Sequence, residues 1–470
     1  MGQKDKQFTQ MTEKPIYKLI PSLAVPTIIS MLATAIYNIA DTYFVSQLGT
    51  SASAAVGIVF SLMAIIQAIG FTIGMGAGTH ISRLLGKQKS DIADKVASSS
   101  VANGLVMGVI LAALGIFFNE QIMRMLGATE TIVPYAITYA HYIFLSAPVM
   151  ILCFILSNLL RAQGKAKSSM LGILAGCIIN MILAPVLIFV FDMGIGGASI
   201  STAISQCISL VILIIPFFGT RTVVQLSIKK VALSVKIYWD ILKNGMPSLF
   251  RQGLASVAAI LLNLSTAKHG DAAVAAMSIV TKIFMVIFSI LIGFGQGYQP
   301  VVGYSYGAKK KQRVKDAFWF TLKTGTVGMT FFGILVWFLA PTLMHAFLSQ
   351  DKEVLEIGTV ALRMQCLATP FMALDVVSNM TLQAAGKTIS ATILTAARQG
   401  IFFLPLILTL PRFWGLAGIE ITQPIADAAT FLLCIPFLYV FFRKPKKLVV
   451  AKKPHVPNPK TGNARNKRLK

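Results

Sequence analysis

Runs of about 20 or more apolar residues recur along this chain, and segments of that kind have few places to go. Wound as a helix rising about 1.5 Å per residue, each is long enough to cross roughly 30 Å of hydrocarbon. Such runs lie near 20–46, 54–80, 96–118, 132–160, 169–191, 198–218, 239–267, 272–300, 317–343, 357–385, 389–410 and 416–442. They predict an all-α polytopic membrane protein with twelve transmembrane helices. Composition agrees, with 55% hydrophobic and 13% charged residues, where a soluble domain averages about a quarter charged.

A net charge of +25 would ordinarily raise the question of nucleic acid. The placement of the charge answers it. With the N-terminus in the cytoplasm, the cytoplasmic loops and termini collect 33 Lys and Arg, and the opposite side only Arg124, Lys268, Lys352 and Arg412. This is the positive-inside bias. It predicts both termini in the cytoplasm and contact with anionic lipid headgroups, and it leaves no nucleic-acid partner to invoke. The five cysteines, Cys153, Cys177, Cys207, Cys366 and Cys434, all fall inside apolar runs without metal-ligand spacing. They read as small buried residues, not disulfides or ligands. The first apolar run lacks a small-residue cleavage site and reads as an uncleaved helix.

The chain repeats itself. Shifted by 221 residues, Pro26 meets Pro247, Gly49 meets Gly270, and Gly74, Gly76 and Gly86 meet Gly295, Gly297 and Gly307. At a shift of 222, Pro148 meets Pro370 and Gly164-Lys165 meets Gly386-Lys387; back at 221, Gly194 and Gly197 meet Gly415 and Gly418. Each half holds six spans, an even number, so both enter the membrane from the same side. The two six-helix lobes should therefore be related by a pseudo-two-fold axis along the membrane normal. The expected domains are an N-lobe (1–218), a basic cytoplasmic linker (219–238), a C-lobe (239–442) and a basic, disordered tail (443–470). Two facing bundles with a cleft between them are the build of a transporter. The glycines at 70, 74, 76, 78, 293, 295 and 297 suit close helix packing or a hinge. Pro26 and Pro247, inside the first helix of each lobe, are candidate helix bends.

Charges within the spans are expensive, on the order of 2.5–3.5 kcal/mol each on insertion scales. The candidates are Asp41, Arg251, Lys282, Lys323, Arg363, Asp375, Arg398 and Asp427. Lys282, Lys323 and Arg363 lie near enough to span ends to snorkel. Asp41 stands well inside the first span with no cation within one helical turn. A desolvated carboxylic acid keeps its proton closer to neutral pH than one in water, which is what proton coupling requires. The alternative is an acid near a helix end that water reaches. Arg251, Asp375, Arg398 and Asp427 all belong to the second lobe, where two acids and two bases can form a buried network or line a substrate cleft. The 30 Phe and 20 Met are mostly packing, with a minority suited to flat cationic ligands.

Several segments carry a resemblance. They are Asp41-Thr42-Tyr43-Phe44-Val45-Ser46-Gln47-Leu48-Gly49, Ala54-Ala55-Val56-Gly57, Gly76-Ala77-Gly78 through Ser82-Arg83-Leu84-Leu85-Gly86, and Arg161-Ala162-Gln163-Gly164-Lys165. The second lobe adds Gly295-Gln296-Gly297-Tyr298-Gln299-Pro300 and Tyr304-Ser305-Tyr306-Gly307-Ala308-Lys309. From about residue 15 to 442 the chain resembles the multidrug and toxic compound extrusion (MATE) family, most closely its bacterial multidrug efflux branch. The resemblance implies a V-shaped antiporter that expels organic cations in exchange for H⁺ or Na⁺, with Asp41 as the first-helix acid. It also implies a fifth-helix motif of Asn, then Asp four residues later, then Pro. Here that stretch reads Asn180-Met181-Ile182-Leu183-Ala184-Pro185, and the acid is missing. Asn180 and residue 184 share a helix face, so an Asp at 184 would stand beside Asn180. Its loss weakens the case for Na⁺, which wants several oxygen ligands. Natural divergence and an engineered substitution both account for Ala184. The second-lobe acid of some relatives also has no match, because Arg251-Gln252 stands in its neighbourhood.

The function expected is a secondary-active efflux antiporter of the bacterial cell membrane, monomeric, without cofactor or metal, in which Asp41 and Asn180 couple ion to substrate. Its substrates would be small organic cations. A lipid-linked precursor flippase, with a more cationic cleft, and a non-transporting receptor or scaffold are the alternatives. An enzyme is not expected, since the five histidines at 80, 141, 269, 345 and 455 form no metal or nucleophile constellation.

Overall fold

In this computed structural model residues 3–218, 222–232, 234–347 and 351–443 are described. The tail expected to be disordered lies outside them beyond Arg443. A short polar helix, α1 (Gln3–Glu13), precedes the first crossing. The N-lobe crossings are α2 (Ile16–Ser46), α3 (Thr50–Gly86), α4 (Ser90–Phe117), α6 (Val133–Ala162), α7 (Ala166–Pro185) and α8 (Gly194–Ile214), with the short α5 (Asn119–Met125) between the third and fourth. In the C-lobe come α9 (Val235–Ala267), α10 (Asp271–Gly307), α11 (Lys311–Phe347), α12 (Lys352–Ala384), α13 (Thr388–Ala396) and α14 (Phe403–Phe442). A π-helical stretch extends α7 over Val186–Val190, and another joins α13 to α14 over Ala397–Phe402.

The last helical stretch, Thr388–Phe442, has 55 residues. As one straight helix it would reach about 80 Å, far more than one bilayer crossing needs. Gly415, with φ 54° and ψ −131°, breaks it in two. A Cβ on Gly418 would press on the Leu410 carbonyl, so the chain doubles back there. The result is the twelfth crossing, and the expected number is present. Most helices start a few residues before the apolar runs, as α9 does at Val235.

The internal repeat is written in the backbone. Gly49 and Gly270 take φ 107° and 97°, Gly164 and Gly386 take 76° and 77°, and Gly194 and Gly415 take 53° and 54°. Even the non-glycine pair Gln88 and Lys309 matches, at 57° and 59°. All lie in the left-handed region where a side chain is strained, so the same turn has been kept at the same place in each lobe. Pro26 and Pro247 do not interrupt their helices: α2 and α9 run through them without a residue leaving helical dihedrals. The linker is also more than a tether. Asp94, 2% exposed near the start of α4, accepts the Gln225 N–H at 2.9 Å and pairs with Lys230 at 2.5 Å. The linker's Val224 N–H is held by Gln163 Oε1 at 2.9 Å.

The lobes meet along one half of their length, the half nearest the Lys- and Arg-rich loops. Gly76 of α3 sits against the Ile241 carbonyl and Gly245 of α9. In return Gly245 faces the Thr72 carbonyl. Gly293 and Gly297 of α10 lie on the backbone of Ile28 and Ala24 in α2, and the Thr27 hydroxyl donates to the Gly293 carbonyl at 2.5 Å. At the same end Arg83 donates to the Ala384 carbonyl (2.9 Å) and to Asn244 Oδ1 (2.7 Å), tying α3 to the C-lobe. Among the described residues no hydrogen bond joins the lobes at the other end, where Tyr43 of α2 and Leu264 of α9 are exposed. Here the glycines serve close packing, one of the two uses expected of them.

A side chain at Gly76 has only backbone to push on, so Gly76→Val should part the lobes while leaving each lobe's own core intact. Pulsed electron-resonance distances between spin labels at Lys87 and Lys311 should lengthen and broaden; an unchanged distribution would show that the contact does not hold the lobes together.

Candidate functional site

Asp41 lies in the C-terminal half of α2, 3% exposed and turned into the N-lobe bundle. It is therefore not an acid that water reaches at a helix end. Its Oδ2 accepts one hydrogen bond, from the Tyr139 hydroxyl of α6 at 3.3 Å, and its Oδ1 has no partner. No cation forms an ion pair with it among the described residues. Tyr37, one turn earlier on α2, lies beside Cys177 of α7 and within reach of Thr202 of α8. Thr202 also receives the Asn180 amide, so Tyr37 stands level with Asn180 and Asp41 one turn further along α2. Asn180 is buried but turned to α8, where it donates to Thr202 Oγ1 at 3.1 Å and Ser201 Oγ at 3.4 Å. It does not bond Asp41. Ala184 is fully buried one turn further on.

The polar centre of the N-lobe therefore comprises Asp41, Tyr139, Tyr37, Asn180, Ser201 and Thr202, drawn from four helices. Tyr139 was not legible in the sequence, since one more aromatic in an apolar span carries no mark. The hydroxyls of Ser199, Ser201, Thr202 and Ser205 in one span were a signal that could have been used. Pro185 ends α7 immediately after Ala184, and the helix continues as a π-turn. Such turns re-aim carbonyls, and they are frequent at functional sites.

The C-lobe centre is arranged differently. Arg398, in the π-helical stretch before α14, donates through Nε to Asp427 Oδ1 at 2.7 Å and through Nη2 to Oδ2 at 3.4 Å. Gln423 adds a 2.8 Å hydrogen bond to the same Oδ1. The guanidinium also lies over the Phe288 ring, 4.5 Å from its centroid. Asp375 of α12 is 5% exposed, accepts from Cys434 Sγ at 3.6 Å, and has an unpartnered Oδ2. Arg251 stands apart from these three. It crosses the lobe interface and donates to Met75 Sδ of α3 at 3.2 Å, while Gln252 meets Gln67 at 3.3 Å. The four second-lobe charges therefore divide into a three-membered C-lobe cluster and one arginine on the lobe boundary.

Lys282 and Lys323 are exposed, as snorkelling requires, and Arg363 rests near the Trp337 ring. Four of the five cysteines are buried; Cys207 is exposed on the surface of α8, contrary to the expectation for all five.

Twelve crossings in two repeated lobes, joined at one end and each holding charge in its interior, define a two-lobed membrane transporter architecture. The MatE family model matches the chain twice, over residues 26–186 and 247–409, and the chain belongs to that family. The two matches start 221 residues apart, the same offset as the internal repeat. The chain is 30% identical over 438 residues to multidrug export protein MepA of Staphylococcus saprophyticus, covering 93% of this chain and 96% of that one. MepA of Staphylococcus aureus matches equally well, at 30% over 438 residues. Among solved structures, MATE in complex with MaL6 superposes with a TM-score of 0.89 at 24% identity, covering 93% of this chain and 98% of the other. A multidrug resistance MATE transporter in its outward-facing conformation gives 0.88 at 24%, over 92% and 97%. These two show a shared fold.

The Arg398–Asp427 pair gives a stability prediction. Arg398→Leu alone leaves Asp427 buried without its counter-charge and should cost about 3–5 kcal/mol. The double variant with Asp427→Leu should recover much of that loss, as read by thermal unfolding in detergent. Additive losses would show that the two side chains are not energetically coupled.

Proposed function

We propose that this protein is a secondary-active efflux antiporter of a bacterial cell membrane, exporting small organic compounds in exchange for H⁺. The observation that carries the proposal is Asp41, a buried carboxyl with one hydroxyl donor, an unpartnered oxygen and no cation beside it among the described residues. Such a group gains and loses a proton at low structural cost, because no ion pair has to be broken. With Ala184 in place of a second acid, the N-lobe polar centre offers one carboxylate rather than the several anionic oxygen ligands that favour Na⁺. Proton coupling is therefore the better-supported choice.

The relatives named multidrug export proteins support a multidrug range. Buried acids in both lobes support cationic substrates. The positive-inside bias supports cytoplasmic termini, and with that orientation the joined ends face the cytoplasm and the separated ends face outward. The division into an N-lobe at 1–218, linker at 219–238, C-lobe at 239–442 and basic tail follows from the repeat. We take the unit to be a monomer in contact with anionic lipid, acting without cofactor, metal or enzymatic step. Transport then alternates between this conformer and one in which the contacts at Gly76, Gly297 and Arg83 have parted. Protonation of Asp41 favours the outward-releasing state. The C-lobe cluster of Asp375, Arg398 and Asp427 braces its half or lines the cleft, and Arg251 closes the boundary.

The test is uptake of a fluorescent organic cation into inside-out vesicles under imposed H⁺ or Na⁺ gradients. Asp41→Asn should abolish gradient-driven uptake without loss of folding, and Tyr139→Phe should lower it about tenfold. Full activity in Asp41→Asn would sink the assignment. Ala184→Asp should add a Na⁺ response; transport that appears only in this variant would mark Ala184 as the disabling residue.

A further inference from the structure

Arg161 belongs by sequence to a basic loop, yet the structure places it at the end of α6 with 4% exposure. Its Nη2 donates to Asn158 Oδ1 at 3.0 Å, and its Nη1 is buried with no partner. It forms no ion pair among the described residues. The side chain lines a cavity of about 20 Å³ between the lobes, at the joined end. Thr79, Ser82 and Asn158 face it from the N-lobe, and Gln296 and Gln299 from the C-lobe. No carboxylate lines it. The Gln296 amide has an unpartnered Oε1, and a reversed amide presents its N–H₂ to the same space.

We propose that this cavity binds a monovalent inorganic anion of chloride size, and that the anion holds the lobes closed at that end. A cavity needs roughly 10–15 Å³ to hold one water, so the room suits a single small occupant. Water could accept from Nη1 but would leave the guanidinium charge without compensation in a poorly polarisable setting. An anion supplies both the acceptor and the counter-charge. Thr79, Ser82, Asn158 and Gln299 already donate to carbonyl or amide oxygens, so the donors left for the anion are Arg161 Nη1 and the reversed Gln296 amide. Because the two lobes each contribute part of the lining, the site is complete only while they are joined. Any ligand that binds one conformer alone shifts the equilibrium toward it in proportion to its occupancy.

The test is thermal unfolding of the full chain in detergent, titrating chloride against gluconate at constant ionic strength. Wild type should show a saturable rise in Tm of about 2–4 °C. Arg161→Gln should lose the rise. Gln296→Glu, which brings a carboxylate to the cavity, should lose it as well, with its Tm in gluconate already raised. If Arg161→Gln does not fold, Gln296→Glu decides alone. A wild-type Tm indifferent to chloride would assign the cavity to water and overturn the proposal. So would a chloride response that persists unchanged in Gln296→Glu.

Discussion

A charge withdrawn from water must be compensated, and how each lobe meets that requirement separates structure from function here. In the C-lobe, Asp427 has Arg398 in a two-pronged contact and Gln423 beside it. That pair can keep its charges without help from the rest of the molecule, while Asp375 beside it keeps one unpartnered oxygen. In the N-lobe, Asp41 has the Tyr139 hydroxyl and no other partner among the described residues. A carboxyl so placed settles its own charge by exchanging a proton, and its surroundings decide when. The two lobes share one pattern of turns, yet Asp427 is paired where Asp41 is not, and the proposed role of Asp41 rests on that difference.

The second constraint is geometric. Six crossings per lobe, with matched left-handed turns at 49 and 270, 164 and 386, and 194 and 415, bring equivalent ends of both bundles to one side of the membrane. Glycines at 76, 245, 293 and 297 then let helix backbones touch across the boundary. Such contacts depend on backbone shape rather than deep side-chain interdigitation. They are compatible with two bundles that separate as rigid bodies, and Arg83 and Arg251 supply polar ties across the same boundary.

Much of this was legible in the sequence because membranes simplify the problem. Length and hydropathy marked all twelve crossings, including the pair that the continuous stretch Thr388–Phe442 would otherwise conceal, since glycine at 415 repeats glycine at 194. Repeat offsets located the two lobes. Asp41 stood out because a carboxylate in an apolar run is costly enough to demand a reason. What could not be read was partnership. Tyr139 and Thr202 come to the polar centre from other helices, and no local pattern says which face of a wholly apolar span they occupy. The same limit grouped Arg251 with the C-lobe acids when it reaches the other lobe, and counted Arg161 among loop charges when it is buried. Asn180, expected to serve Asp41, turns instead to the α8 hydroxyls.

The central claim is that Asp41 carries the exchangeable proton, and proton release on substrate binding tests it most directly. Purified protein in weakly buffered detergent solution would be titrated with an organic cation while a pH indicator counts the protons released. The account predicts about one proton released per cation bound by wild type and none by Asp41→Asn. Equal release from both proteins would contradict it and move the coupling site elsewhere.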